Sequence, residues 1–165
     1  MKKIYLSVVC LLISIPLIAQ LYVEPEKEVE CSVFLAKEGR GRAQQGLEIW
    51  DDYIFSCEDG GHVNIYDFKS ADPKPVAGFE LASSHPDNHV NNVCFGVETK
   101  RGASFPLLYI TNGKVGSELE WLCFVESITR RGKRFSSEIA QTIELDGSKW
   151  AEKGYVPIFG APSWL

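Results

Sequence analysis

The sequence lacks the short motifs through which many catalytic and cofactor sites are recognised. It has no GxSxG and no HExxH, so neither a nucleophile elbow nor a zinc-protease helix is encoded. Ser83-Ser84-His85 places hydroxyls beside an imidazole, but adjacency along the chain is not triad geometry. There is no CxxC and no Cys/His spacing of the kind that holds zinc. No glycine-rich segment stands between a strand and a helix, which removes the usual phosphate cradle, and no cofactor is expected. Positive charge is also scarce. Lys and Arg number 17 against 22 Asp and Glu, a net charge of −5, and nucleic acid is a poor partner for such a chain. Helical periodicity is missing as well, because apolar residues recur at spacing two or in short blocks.

What is present begins with an address. Lys2 and Lys3 precede an apolar run from Ile4 to Ile18, and Ala19-Gln20 offers a cleavage region. Residues 1–20 read as a secretory signal, shorter than the roughly 20 apolar residues a spanning helix needs. An uncleaved anchor helix is the alternative. Cys10 does not make this a lipoprotein signal, because it follows Val8-Val9 rather than small residues. The expectation is an exported protein of the periplasm, cell envelope or extracellular space, with no membrane span in the mature chain. Removal of Lys2 and Lys3 moves the charge from −5 to about −7. Cys31, Cys57, Cys94 and Cys123 then remain; an oxidising compartment allows disulfides in three pairings. Three of the four sit inside apolar strand runs, so buried thiols packing as small hydrophobes are expected.

Residues 21–44 read as an extended segment with one strand near Val29–Leu35. Strands are then expected at Gly46–Trp50, Tyr53–Cys57, His62–Phe68 and Val76–Leu81, with turns at Asp51-Asp52 and Asp59-Gly60-Gly61. In the third, Val63, Ile65 and Asp67 alternate with His62, Asn64, Tyr66 and Phe68. A second set follows at His89–Val97, Leu107–Thr111, Glu120–Ile128 and Phe135–Leu145. The pairs Asp51-Asp52 and Glu58-Asp59 read as solubilising turn residues, and Arg130-Arg131-Gly132-Lys133-Arg134 as a solvated hairpin turn. His62 reads as structural. Residues 146–165 form an irregular apolar tail holding Trp150, Tyr155, Phe159 and Trp164, in which a truncated third unit would begin.

Two units of four strands repeat: Tyr53-Ile54-Phe55 aligns with Leu108-Tyr109-Ile110, and Val76–Leu81 with Ala140–Leu145. Together with Tyr66-Asp67, Gln45-Gly46, Asn88-His89 to Phe95-Gly96 and Phe105–Tyr109, this order resembles secreted bacterial β-propeller proteins of the YncE-like, NHL and TolB-type superfamily. The resemblance covers roughly residues 45–145. It implies an all-β chain of about two to three four-stranded antiparallel propeller-type blades in an incomplete ring, since closure takes about four to eight. A truncated member is implied, with self-association through its unclosed blades. A β-sandwich is the alternative fold.

One stretch is dense in ligand-type side chains: His85, Asp87, Asn88, His89, Asn91 and Asn92, interrupted by Pro86 and Val90. In a propeller it enters the innermost strand of the second blade, near the central channel. The competing reading is that short amides satisfy loop backbone there. The leading expectation is a non-enzymatic binding or interaction module for a small molecule, glycan or envelope protein. The alternatives are a propeller-type metal-dependent hydrolase or lactonase using this cluster, and a truncated paralogue without independent function.

Overall fold

The computed structural model describes residues 43–72, 74–114, 116–146 and 152–154. The targeting segment, the strand expected near Val29–Leu35 with Cys31, and nearly all of the apolar tail lie outside these residues.

Eight strands are described: β1 (Gln44–Trp50), β2 (Tyr53–Glu58), β3 (His62–Asp67), β4 (Ala77–Glu80), β5 (Asn92–Phe95), β6 (Leu108–Thr111), β7 (Leu122–Arg131) and β8 (Arg134–Glu144). They form two antiparallel sheets, ordered β1-β2-β3-β4 and β5-β6-β7-β8. The chain is all-β, and no helix occurs among the described residues. Accordingly, no helix there is long and apolar enough to cross a membrane.

Turn chemistry sets these boundaries. Asp51, at φ 50°, takes the left-handed position that joins Trp50 to its partner Tyr53, a conformation short polar side chains tolerate. Gly61 has a stricter role. Its φ is 94°, and a Cβ there would stand 2.8 Å from Ser84 Cα, so only glycine fits the β2–β3 turn.

The sheets share one apolar core. Phe55, Cys57, Val63, Ile65, Phe79 and Leu81 from the first meet Val93, Phe95, Leu108, Ile110, Phe124, Ile128 and Phe135 from the second. Aromatic rings dominate this contact. Phe55 makes edge-to-face contacts with Phe95 at 5.0 Å and with Phe105 at 5.1 Å, and Phe79 stacks on Phe135 at 6.1 Å. Strand β1 lies against β5, and β4 against β8. The close approach of β1 depends on Gly46, whose Cβ position is only 3.0 Å from Val93 Cγ2.

Several expectations change. The fifth strand is shorter than His89–Val97, because Val90 adopts φ 42° and breaks the extended run ahead of Asn92. The Asn64/Tyr66 face of β3 is as buried as the Val63/Ile65 face, so both sides of this strand are covered. Glu58 is no solubilising turn residue: it ends β2 fully buried, its Oε1 accepting from Asn64 Nδ2 at 2.8 Å. The basic run closes the β7–β8 hairpin and is exposed throughout, as expected; β7 continues to Arg131 and β8 starts at Arg134, so Gly132-Lys133 form the turn itself. Cys57 and Cys123 are buried free thiols, and Cys94 Sγ donates to the Phe95 carbonyl. Burial pushes the Cys57 thiol well above its usual pKa, with the nearby carboxyls of Glu126 and Glu48 adding to the effect, so it packs rather than reacts.

Candidate functional site

Antiparallel order gathers three connections at one end of the sheets: the β2–β3 turn at 59–61, the β4–β5 crossover at 81–91 and the β6–β7 connection at 112–121. All three histidines of the sequence stand at this end, His62 at the start of β3 and His85 and His89 in the crossover.

The crossover is held from below by Glu126. This residue interrupts the apolar run of β7, points into the space between the sheets, and is fully buried. Its Oε1 accepts from Ser83 N at 2.8 Å and its Oε2 from Ala82 N at 3.0 Å. Ala82 N also donates to Ser137 Oγ at 2.9 Å. Such a carboxyl satisfies loop donors that would otherwise be buried unpaired.

Asn88 organises the middle. It is buried, and its Nδ2 donates to Ser83 O at 2.9 Å while its Oδ1 accepts from Val90 N at 3.1 Å. Its backbone carbonyl accepts from Gly60 N at 2.7 Å, tying the crossover to the β2–β3 turn. Asn112, also buried, accepts His89 N on Oδ1 at 2.6 Å and donates through Nδ2 to Ser117 Oγ. Asn91 N donates to Thr111 O at 2.9 Å. Between these ties Val90, a fully buried β-branched residue, is kept at positive φ. That conformation is rare for its type and persists only where surroundings over-determine it.

The remaining expected residues divide between ties and display. Asn92 Oδ1 accepts from Val93 N at 2.9 Å, a strand-entry contact. His85 Nδ1 accepts from Asp87 N at 3.1 Å, and the ring is exposed. Asp87 pairs with Lys114 Nζ at 2.6 Å; this hydrogen bond and the lysine's charge hold its carboxyl below the usual aspartate range. His89 Nδ1 lies 2.7 Å from Asp59 Oδ1, both side chains half-exposed. His62 Nδ1 pairs with Glu80 Oε1 at 3.0 Å across β3 and β4. The structure therefore brings His85, Asp87, His89 and Asn91 together on one loop surface with Asp59 and Lys114. Asn88 is turned into the scaffold, and Asn92, half-buried, meets the Val93 N–H at the start of β5.

Among the described residues, no group of three or more His, Cys, Asp and Glu side chains is arranged to hold a metal ion. What the arrangement offers is a surface of mixed donors and acceptors with one ion pair, Asp87–Lys114, and one imidazole–carboxylate contact, His89–Asp59. Glu126, Asn112 and Lys114 escape a reading of the sequence as a ligand cluster. The signal for Glu126 is a single acid inside the run Cys123-Phe124-Val125-Glu126-Ser127-Ile128. No protein-family model matches the chain, and no curated protein does.

Proposed function

We propose that this chain is an exported binding module built from a pair of propeller-type blades, and that the crossover end binds a neutral polar ligand of the glycan type. The blade reading is supported by two sheets of identical meander order and by the path of the chain. It leaves the first sheet at β4 and re-enters the second at β5, beside β1. A chain passing from the outer strand of one blade to the inner strand of the next follows that route. A two-sheet sandwich accommodates the same shared core.

The observation that carries the binding reading is Val90. A buried valine at φ 42° is a strained position, and two side chains, Asn88 and Asn112, and the backbone bond from Asn91 N to Thr111 O are committed around it. The effect is to hold His85, Asp87, His89 and Asn91 in one arrangement, so ordering entropy is already spent before a ligand arrives. Imidazole, amide, carboxylate and ammonium groups on one surface match a ligand that both donates and accepts hydrogen bonds through hydroxyls.

The test is an amide-resolved NMR titration with glucose, N-acetylglucosamine and its β-1,4-linked disaccharide. Saturable shifts are expected within 59–61, 85–92 and 113–117. His89→Ala should remove them while changing folding stability by only about 1 kcal/mol. Shifts scattered elsewhere, or binding indifferent to His89→Ala, would exclude this surface as the site.

A further inference from the structure

The opposite end of the sheets carries a second feature that the crossover surface does not involve. Here the β1–β2 turn, the β3–β4 and β5–β6 connections and the β7–β8 turn meet. Arg130 lies among them. Its guanidinium carbon sits 4.8 Å from the centre of the Tyr53 ring and 5.8 Å from that of Phe135. Its Nε donates to Gly132 O at 2.8 Å, and its backbone N donates to Ser104 Oγ at 2.9 Å. The group therefore stands against two aromatic rings and is pinned at one edge. Among the described residues its two Nη groups have no hydrogen-bond acceptor.

Two clefts adjoin this guanidinium, of about 430 Å³ and about 190 Å³, and Tyr53, Arg130 and Gly132 line both. The smaller is walled by Val76, Ala77 and Phe135 and bordered by Lys133. The acids nearby are Asp51 in the larger cleft and Asp67 in the smaller, while Asp52 is engaged by Lys69 at 2.6 Å. A planar fork of unspent donors beside an apolar wall fits a carboxylate attached to a flat or branched apolar group. The two aspartates disfavour ligands of higher negative charge, inorganic phosphate among them.

We infer that the Arg130 cleft is a binding site for a monoanionic carboxylate bearing an aromatic or branched apolar group, with Arg130 receiving the carboxylate and Val76, Ala77 and Phe135 the apolar part. Two sources share this chemistry, a free aryl-substituted acid and the C-terminus of a peptide ending in an aromatic residue.

The full chain would be titrated with N-acetyl-phenylalanine, N-acetyl-phenylalanine amide, inorganic phosphate and a tetrapeptide ending in phenylalanine, read by amide shifts. The acid should give saturable shifts at Tyr53, Ala77 and 130–135, and the amide and phosphate should bind at least about ten-fold more weakly. Tighter binding by the tetrapeptide assigns the site to peptide C-termini, and equal or weaker binding to free acids. Arg130→Lys keeps the charge but loses the flat fork, and should weaken the acid at least about ten-fold with an unchanged melting temperature. His89→Ala, at the other end, should leave this binding intact. The inference is overturned if the acid gives no saturable shift up to about 10 mM, a range that covers even weak small-ligand binding. It is equally overturned if the amide binds as well as the acid, or if Arg130→Lys changes nothing.

Discussion

Glu126 sits where a strand pattern calls for an apolar residue, and its surroundings explain why. The β4–β5 crossover turns its Ala82 and Ser83 N–H groups inward, and the carboxyl accepts both. Glu126→Ala would leave Ser83 N unpartnered in a buried setting, whereas Ala82 N retains Ser137 Oγ. The expected loss is about 1–3 kcal/mol in urea unfolding, with Glu126→Gln, which keeps one acceptor oxygen, costing less. Equal stability of all three proteins would show that the crossover does not rely on this residue. Glu58 is a comparable case on the other face of the first sheet: one oxygen meets Asn64, and Oε2 has no hydrogen-bond partner among the described residues. Buried acids of this kind cannot be told from turn acids by residue type, because what distinguishes them is which backbone donors the fold brings near.

Turns decide the elements, and glycine decides two of the critical approaches. Gly61 and Gly102 both have strongly positive φ, 94° and 90°, but only Gly61 has backbone in its way, whereas nothing lies within 4 Å of a Cβ at Gly102. Gly102→Ala should therefore cost about 1 kcal/mol, the left-handed penalty alone. Gly61→Ala adds a clash with Ser84 and should cost measurably more, by thermal or urea melting. Equal losses would mean that the crossover moves freely past the β2–β3 turn. The strands themselves were legible from alternation and turn residues, most within one or two residues of their observed ends. The fifth was not, since Val-Asn-Asn-Val reads as a strand until Asn88 and Asn112 pull the first valine into a left-handed position. Those ties come from Asn88, two places before Val90, and from Asn112, 23 places beyond the His89 N–H that it accepts, and only the second sheet's folding places the latter.

The two sheets do not hydrogen-bond to each other as sheets; what unites them is the ring cluster around Phe55, which contacts Phe95, Phe105 and Phe135 of the second half. Phe55 is fully buried, and Phe55→Ala should cost about 3–5 kcal/mol. Because the core is shared, the loss should lower one transition, with far-UV circular dichroism and tryptophan fluorescence giving coincident midpoints. Separate midpoints would show that each four-stranded sheet is a folding unit of its own. The same two-sided arrangement opens different surfaces at its two ends, a histidine-bearing crossover at one and the Arg130 cleft at the other.

By itself, the sequence determined the all-β class, the division into two four-stranded meanders and the density of ligand-type residues at 85–92. These follow from local rules: alternation at period two, β-branched and aromatic content, and glycine or aspartate at turns. Tertiary structure alone decided which of those polar residues became scaffold and which stayed on display, that Glu58 and Glu126 are interior, and that Arg130 of a basic run sets its guanidinium over Tyr53. Each of these depends on a partner distant in the chain, and hydrogen-bond and packing partners are fixed by how the sheets meet, not by neighbours in sequence.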